Sequence, residues 1–278
     1  MPGHERATSN GGTHVDGVVV PVLQARAGGP AERFAGLMGG KHPAAVFFAA
    51  VLAGFVVLAG LAILLGLLVT DVLLRTGGIG RADESAVESI VRDRTVFLTD
   101  LSSVGSMVGG APVLPILVGL IGIVCLIKRR WRIAAFAVFV LVVESATYRV
   151  ASIAVPRDRP HVARLEDLPA DASYPSGHTA ASLAVYCGLV LLLTSAFPRG
   201  GWRAAAWVVA VLLPVFVAAS RMYRGMHHPL DVGAGALIGI GAVLVLLFAC
   251  RAAGVAALAH APHRTHARSS SRRPHPVS

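Results

Sequence analysis

Two histidines, His178 and His227, lie at the edges of long apolar stretches. Two imidazoles at such positions could together catalyse a group-transfer reaction. A neutral imidazole can attack phosphorus, and a second imidazole can protonate the oxygen that leaves. Asp231 follows His227 by four residues, so on a helix its carboxylate would lie within reach of the His227 ring. A carboxylate in that position fixes the imidazole tautomer and stabilises the cation that forms. With His178 as the second imidazole, these residues predict a nucleophile, an acid and a supporting carboxylate.

The residues around the histidines are of the types that hold an anion. Arg159 and Arg221 end two apolar stretches, and a guanidinium presents a planar fork that matches phosphate oxygens. Ser176 and Gly177 begin another stretch, where a small backbone lets an anion approach closely. A helix that starts there, and one that starts near Asp231, would each direct unpaired N–H groups at the anion. Two arginines and two helix ends therefore predict a phosphate site.

The elements that must position these residues are membrane helices. The chain is 55% hydrophobic and 14% charged, whereas soluble domains carry about 25% charged residues. Six apolar runs are close to the ~20 residues that cross a bilayer. They cover 44–70, 104–127, 133–155, 178–197, 204–220 and 231–250. The pattern predicts an all-α, polytopic membrane protein with six transmembrane helices.

The distribution of charge predicts an orientation and a partner. Loops rich in Arg and Lys but poor in acids follow the second and fourth runs, and this bias is typical of the cytoplasmic side. Both termini would then be cytoplasmic in a plasma membrane protein, with the histidines on the extracytoplasmic side. The net charge is +10, and the basic residues lie beside apolar runs and in the tail. This distribution favours anionic membrane lipids and excludes nucleic acid as the partner. We expect a disordered segment over 1–43, a membrane domain over 44–252 and a basic, disordered tail over 253–278.

Two segments resemble known family signatures. Residues 175–178 read Pro-Ser-Gly-His, and residues 220–231 read Ser-Arg, five residues, His, three residues and Asp. They resemble the second and third signatures of the type 2 phosphatidic acid phosphatase superfamily, and Arg159-Pro160 resembles the end of its first. The resemblance implies a six-helix membrane bundle with a type 2 phosphatidic acid phosphatase/haloperoxidase-like core.

The resemblance also implies a reaction and its residues. His227 would form a phosphohistidine, His178 would be the general acid, and Asp231 would support the nucleophile. The phosphate would be held by Arg159, Ser176, Gly177 and Arg221. No metal or other cofactor is expected. The substrate would be a lipid phosphomonoester or pyrophosphate, with polyprenyl pyrophosphate favoured and phosphatidic acid or phosphatidylglycerol phosphate as alternatives, while the oligomeric state stays open.

One position departs from the family pattern. Ser152 stands where the first signature begins with a lysine, seven residues before Arg159. Arg149 shares a helix face with Ser152 and is the candidate replacement at the phosphate, although it could instead pair with Glu144. Intramembrane charges are usually functional or paired. Two other functions remain open: a lipid-binding protein of this fold that has lost turnover, and a transporter with Glu144 and Arg149 on its pathway.

Overall fold

A computed structural model describes residues 20–260, and the outer parts of the predicted terminal segments lie outside this range. Nine α-helices form within these residues, and no β-strand does. They are α1 Pro30–Leu37, α2 Pro43–Leu67, α3 Gly78–Arg92, α4 Val96–Val108, α5 Val113–Ile127, α6 Trp131–Ala154, α7 Gly177–Ala196, α8 Trp202–Tyr223 and α9 Pro229–His260. A π-helical turn, Leu68–Leu73, continues α2, and a short 3₁₀ turn, Pro21–Leu23, precedes α1.

Six helical segments of the described chain are long and apolar enough to cross a membrane, as predicted. They are Pro43–Leu73, Val96–Ile127, Trp131–Ala154, Gly177–Ala196, Trp202–Tyr223 and Pro229–His260. The second segment is not one continuous helix, because α4 ends at Val108 and α5 begins at Val113. Gly109, Gly110 and Pro112 lie in the break, and these residue types interrupt helices.

Close packing of α7 on α9 sets the position of the functional end of the bundle. A Cβ at Gly235 would lie 2.4 Å from the Ser176 carbonyl oxygen, and one at Gly239 would lie 2.6 Å from the Ala180 carbonyl oxygen. Small residues four apart allow such backbone contact between membrane helices. The Ser176 N–H also donates to the Asp231 carbonyl oxygen at 3.0 Å. The starts of α7 and α9 are therefore held side by side.

The segment before α2 is more ordered than the sequence suggested. Helix α1 lies within the predicted disordered region 1–43, and its Ala31 and Ala35 are buried against Ala252 of α9. Helix α9 itself continues past residue 252 to His260. The small apolar residues on one face of α1 provide this contact, although the segment is too short and polar overall to resemble a core helix.

Candidate active site

A cavity of about 230 Å³ lies at the end of the bundle where α6 and α8 end and α7 and α9 begin. Its polar wall is made of Glu144, Ser145, Tyr148, Arg159, His178, Arg221 and His227. The break between α4 and α5 supplies Gly109, Gly110 and Ala111 to the remaining wall, and the start of α5 adds Leu114. Both predicted histidines, both predicted arginines and Gly177 thus line one cavity.

His227 is held in the tautomer that a nucleophile needs. Its Nδ1 lies 2.7 Å from the Ser173 carbonyl oxygen, which can only accept a hydrogen bond. Nδ1 therefore carries the proton, and Nε2 keeps its lone pair. Burial, together with the positive charges of Arg221 and Arg159, outweighs the opposing effect of Asp231 and lowers the pKa of His227 to about 3. The imidazole is consequently neutral at physiological pH.

His178 lies in the first turn of α7, on the same cavity. Its approach depends on a glycine in the α4–α5 break, because a Cβ at Gly110 would lie only 2.7 Å from His178 Nε2. Among residues 20–260, no side chain or backbone group forms a hydrogen bond with the His178 ring. The ring is therefore available for proton exchange with a ligand.

Arg221 is fully buried and only partly bonded. Its Nη1 donates to Ser106 Oγ at 2.5 Å and to Glu166 Oε1 at 2.7 Å. Its Nε and Nη2 are buried and have no hydrogen-bond partner. Leaving buried donors unpaired is costly, and more so when they carry charge. A side chain that bears such donors in a cavity wall is well suited to bind an anion.

Arg159 is fixed by backbone carbonyls rather than by acids. Its Nε donates to the Pro169 oxygen at 2.8 Å, its Nη1 to the Met226 oxygen at 2.5 Å and its Nη2 to the Ala172 oxygen at 2.9 Å. Burial, and then the nearby Arg221, lower the pKa of Arg159. No carboxylate neutralises its charge through an ion pair among the described residues. A bound anion would relieve the repulsion between the two arginines.

The Asp231 carboxylate forms no hydrogen bond with the His227 ring, unlike the pairing predicted from the sequence. This carboxylate accepts from Arg157 Nη1 at 2.5 Å, from Ser173 Oγ at 2.6 Å and from the His228 N–H at 2.9 Å. The physical reason is that Asp231 is the third residue of α9, where an acidic side chain turns back to cap its own helix. Asp231 is connected to His227 through Ser173, whose hydroxyl donates to the carboxylate and whose carbonyl oxygen lies 2.7 Å from Nδ1.

The start of α9 is not the open anion site that the sequence suggested. Asp83 of α3 accepts from the Leu230 N–H at 3.0 Å, while Asp231 accepts from the His228 N–H. Two carboxylates thus satisfy the donors that an anion would use. The start of α7 differs, since the side chain of its N-cap residue Ser176 does not cap the first turn. One helix end, rather than two, faces the anion.

Helix α3 supplies a supporting network that no motif indicated. Arg157 donates to both Asp83 and Asp231, and all three side chains are buried. His228 is also buried, with Nε2 2.9 Å from Glu84 Oε2 and Nδ1 3.2 Å from Asp231 Oδ2. The adjacent acids in the second turn of an amphipathic helix were the available signal in the sequence.

Glu166 is the other contributor that the sequence did not reveal. It accepts from Arg221, from Arg224 Nε at 2.5 Å and from Ser106 Oγ at 3.0 Å. Burial alone would raise the pKa of Glu166, but the hydrogen bond and charge of Arg221, followed by the hydrogen bonds of Arg224 and Ser106, lower it to about 2. This carboxylate fixes one edge of the Arg221 guanidinium and leaves the other edge unpaired.

Two predicted anion contacts, Ser176 and Arg149, need correction. The Ser176 hydroxyl lies 2.9 Å from Thr179 Oγ1 and is turned away from the cavity wall, whereas Gly177 lines it. Arg149 is exposed and lies outside the cavity, because Tyr148 occupies the inward face of α6 and the next residue is rotated by about 100°. Arg149 therefore does not replace the family lysine, and it forms no ion pair with Glu144 either. Ser152 is buried on α6 and also lies outside the cavity lining.

The helices and the cavity define a multi-pass membrane protein with a cavity lined by histidine and arginine side chains. Residues 133–254 match the model described as PAP2 superfamily. This segment is therefore similar to the PAP2 superfamily, in agreement with the family resemblance predicted from the two later signatures.

Two curated relatives match shorter stretches. Undecaprenyl-diphosphatase of Sulfolobus acidocaldarius is 49% identical over 76 residues, which make up 27% of this chain and 32% of that protein. Bacitracin transport permease protein BcrC of Bacillus licheniformis is 35% identical over 89 residues, which make up 32% of this chain and 39% of that protein. The matches thus span about a third of the length of these relatives (32% and 39%).

A solved structure matches more of the chain. It is a transmembrane PAP2 type phosphatidylglycerolphosphate phosphatase from Bacillus subtilis, with a TM-score of 0.57 and 23% identity. The match covers 73% of this chain and 93% of that one. The predicted fold class, an all-α membrane bundle with this superfamily's core, is confirmed.

Proposed function

We propose that this protein is an integral membrane lipid phosphatase that works through a phosphohistidine on His227. The observation that carries the proposal is the unpaired edge of Arg221, a fully buried guanidinium in the wall of the cavity that both histidines line. A charged donor pair of this kind is stabilised by phosphate oxygens. The superfamily match supports the same reaction class.

In the first step, the Nε2 lone pair of His227 forms a bond to phosphorus as the bond from phosphorus to the lipid oxygen breaks. Protonated His178 gives its proton to that oxygen, so no additional negative charge develops on the leaving group. The positive charge that develops on His227 is stabilised by the Nδ1–H bond to Ser173 and by the Asp231 carboxylate behind it. Arg159 and Arg221 offset the charge on the transferring oxygens, which is usually the largest catalytic contribution.

In the second step, water attacks phosphorus and His178 accepts a proton from it. The bond from phosphorus to His227 breaks, and its electron pair returns to Nε2. Lipid phosphate and water are converted to inorganic phosphate and a lipid that has lost the phosphoryl group. No metal ion or other cofactor has a part in this sequence of steps, because the two arginines and the start of α7 hold the charge.

The substrate is a lipid phosphomonoester or diphosphate, since the site lies at the end of a bundle of apolar helices. A polyprenyl diphosphate is favoured by the similarity to a protein named undecaprenyl-diphosphatase. The name phosphatidylglycerolphosphate phosphatase, given to the structural neighbour, keeps that lipid as an alternative. We also propose that the site faces the extracytoplasmic side of the plasma membrane, as the basic loops indicate.

The test is phosphate release by the purified full-length protein in detergent, with a lipid monophosphate and a lipid diphosphate as substrates. His227→Ala should abolish both phosphate release and the acid-labile radiolabel that a terminally labelled substrate leaves on the protein. His161→Ala is the matched control, because His161 lies in the loop after α6 and is exposed. Substantial activity in folded His227→Ala would contradict the mechanism, and lipid binding without release by the native protein would favour a lipid-binding function instead.

A further inference from the structure

Glu144 is a buried acid of the cavity wall that the mechanism above does not use. It lies in the middle of α6, is 1% exposed and lines the same cavity as the two histidines. Its Oε2 accepts a hydrogen bond from Ser145 Oγ at 3.1 Å, and its Oε1 is buried without a partner. An unpaired buried polar atom in a cavity wall calls for a ligand or another explanation.

Glu144 lies where it would contact the leaving group rather than the transferred phosphoryl group. Tyr148 lies four residues nearer the end of α6 that leads to Arg159, and four helical residues rise by about 6 Å. Tyr148 also packs against the start of α7, since a Cβ at Gly177 would lie 3.1 Å from its ring. Glu144 therefore lies deeper in the bundle than the arginines and Gly177, on the side from which the lipid chain must extend.

The surroundings of Glu144 favour the neutral acid over the carboxylate. No lysine, arginine or histidine within residues 20–260 forms an ion pair with it. An unpaired charge in an apolar setting is far more costly than a neutral group. The Ser145 hydroxyl already provides one hydrogen bond to the carboxyl group. The acid O–H is then a donor that can be offered to an anionic oxygen.

We propose that Glu144 is a specificity-determining residue that binds the second phosphate of a lipid diphosphate. This inference rests on the proposed phosphatase function and deepens it. When the terminal phosphorus is attacked by His227, the leaving group of a diphosphate is a lipid monophosphate, whose oxygens follow directly after the broken bond. In a monophosphate substrate, the same place is taken by carbon, and Glu144 gains nothing. The acid therefore favours diphosphates over monophosphates of the same lipid.

The ionisation state of Glu144 determines the sign of its effect on diphosphate binding. A neutral acid attracts the second phosphate through a hydrogen bond, whereas a carboxylate would repel it through like charge. Removing the side chain should therefore weaken diphosphate turnover in the first case and improve it in the second. Glutamine separates the two cases further, because its amide N–H can donate in place of the acid O–H.

The experiment compares farnesyl diphosphate with farnesyl monophosphate as substrates for the full-length protein in detergent. Glu144→Ala should lower kcat/KM for the diphosphate by about tenfold or more, which equals about 1.4 kcal/mol of transition-state stabilisation. It should leave the monophosphate value within about threefold. Glu144→Gln should keep most of the diphosphate activity. Thr147→Val is the matched control, because Thr147 is buried on the same helix but bonds to the Val143 carbonyl oxygen and does not line the cavity.

Each other outcome overturns the inference. An equal loss on both substrates in folded Glu144→Ala would make the residue structural, and a gain on the diphosphate would show a repelling carboxylate. If Glu144→Gln is as impaired as Glu144→Ala, the donor role is wrong. Native protein that releases phosphate from the monophosphate alone would refute diphosphate recognition but leave the phosphatase function intact. Release from neither substrate would remove the proposed function, and this inference with it.

Discussion

Replacing Arg221 with lysine tests the anion site where the structure is most specific. Lysine keeps the positive charge beside Glu166, so this partly buried acid retains the cation on that side. It cannot reproduce the second edge of the guanidinium, which carries the unpaired Nε and Nη2. The substitution therefore removes the groups assigned to phosphate and spares the structural ion pair.

The size of the effect follows from the two unpaired donors. A hydrogen bond that involves charged partners contributes about 1.5–3 kcal/mol. Losing two such bonds would reduce transition-state stabilisation by about 3–6 kcal/mol, and each 1.4 kcal/mol is tenfold in rate. Because the lysine ammonium can recover part of the charge stabilisation, we expect kcat/KM to fall by about 100-fold, near the lower end of that range.

Arg224→Lys is the matched control. Arg224 also binds Glu166, but its other nitrogens donate to Ser102 Oγ at 3.2 Å and to the Leu165 oxygen at 3.2 Å, and it does not line the cavity. Phosphate release from a lipid diphosphate, measured over a range of substrate concentrations, should separate the two variants by at least one order of magnitude. Equal activity of folded Arg221→Lys and Arg224→Lys would refute the assignment of the unpaired edge to phosphate.

Three further predictions concern the break in the second span, the membrane orientation and the Glu166 ion pairs. Gly110→Ala should lower kcat by about tenfold or more, because its Cβ would lie 2.7 Å from His178 Nε2. A Cβ at Gly119 meets nothing within 4 Å, so Gly119→Ala should have normal activity. Comparable turnover in the two variants would contradict this account. In a background without the three native cysteines, a cysteine at His161 should be labelled from outside intact cells and one at Arg130 should not, and the reverse pattern would invert the orientation. The pKa of Glu166 falls from 4.5 to about 2 on folding, so the stability that Glu166 contributes is complete above about pH 4.5 and is lost towards pH 2. Glu166→Gln should lower the melting temperature at pH 7 and reduce the drop in melting temperature between pH 4.5 and pH 2. A drop as large as that of the native protein would argue against the ion pairs.

The sequence was sufficient for the spans and for the residues at their ends. Apolar length alone predicted six membrane segments, because each must satisfy its backbone within a helix. The motif spacing placed His178 at the start of a helix and His227 just before the start of another. It placed Arg221 in the last turn of α8 and Arg159 in the loop that follows α6. These positions can be predicted from local sequence, because apolar length shows where each helix begins and ends. The four residues share a cavity because the corresponding helix ends lie next to one another.

What the sequence did not reveal depends on tertiary contacts. Asp231 was assigned to His227 by helical spacing, but capping of α9 and Arg157 compete for the same carboxylate. Arg149 was assigned to phosphate from its spacing to Ser152, but the rotation of α6 directs Tyr148 inward instead. The loop acid Glu166 carries no periodic pattern, so only the folded chain shows that it holds Arg221.

The buried ion pairs of Arg157 have a consequence for biosynthesis. Its two partners lie 74 residues before and 74 residues after it, so one is made early and the other arrives with the last span. During synthesis, Asp83 can neutralise Arg157 while the second carboxylate is still absent, which spares the growing chain an isolated buried charge. The last span also brings His227. The chain would therefore gain the proposed nucleophile and complete its charge network in one event, and on the proposed mechanism an unfinished chain in the membrane would be inactive.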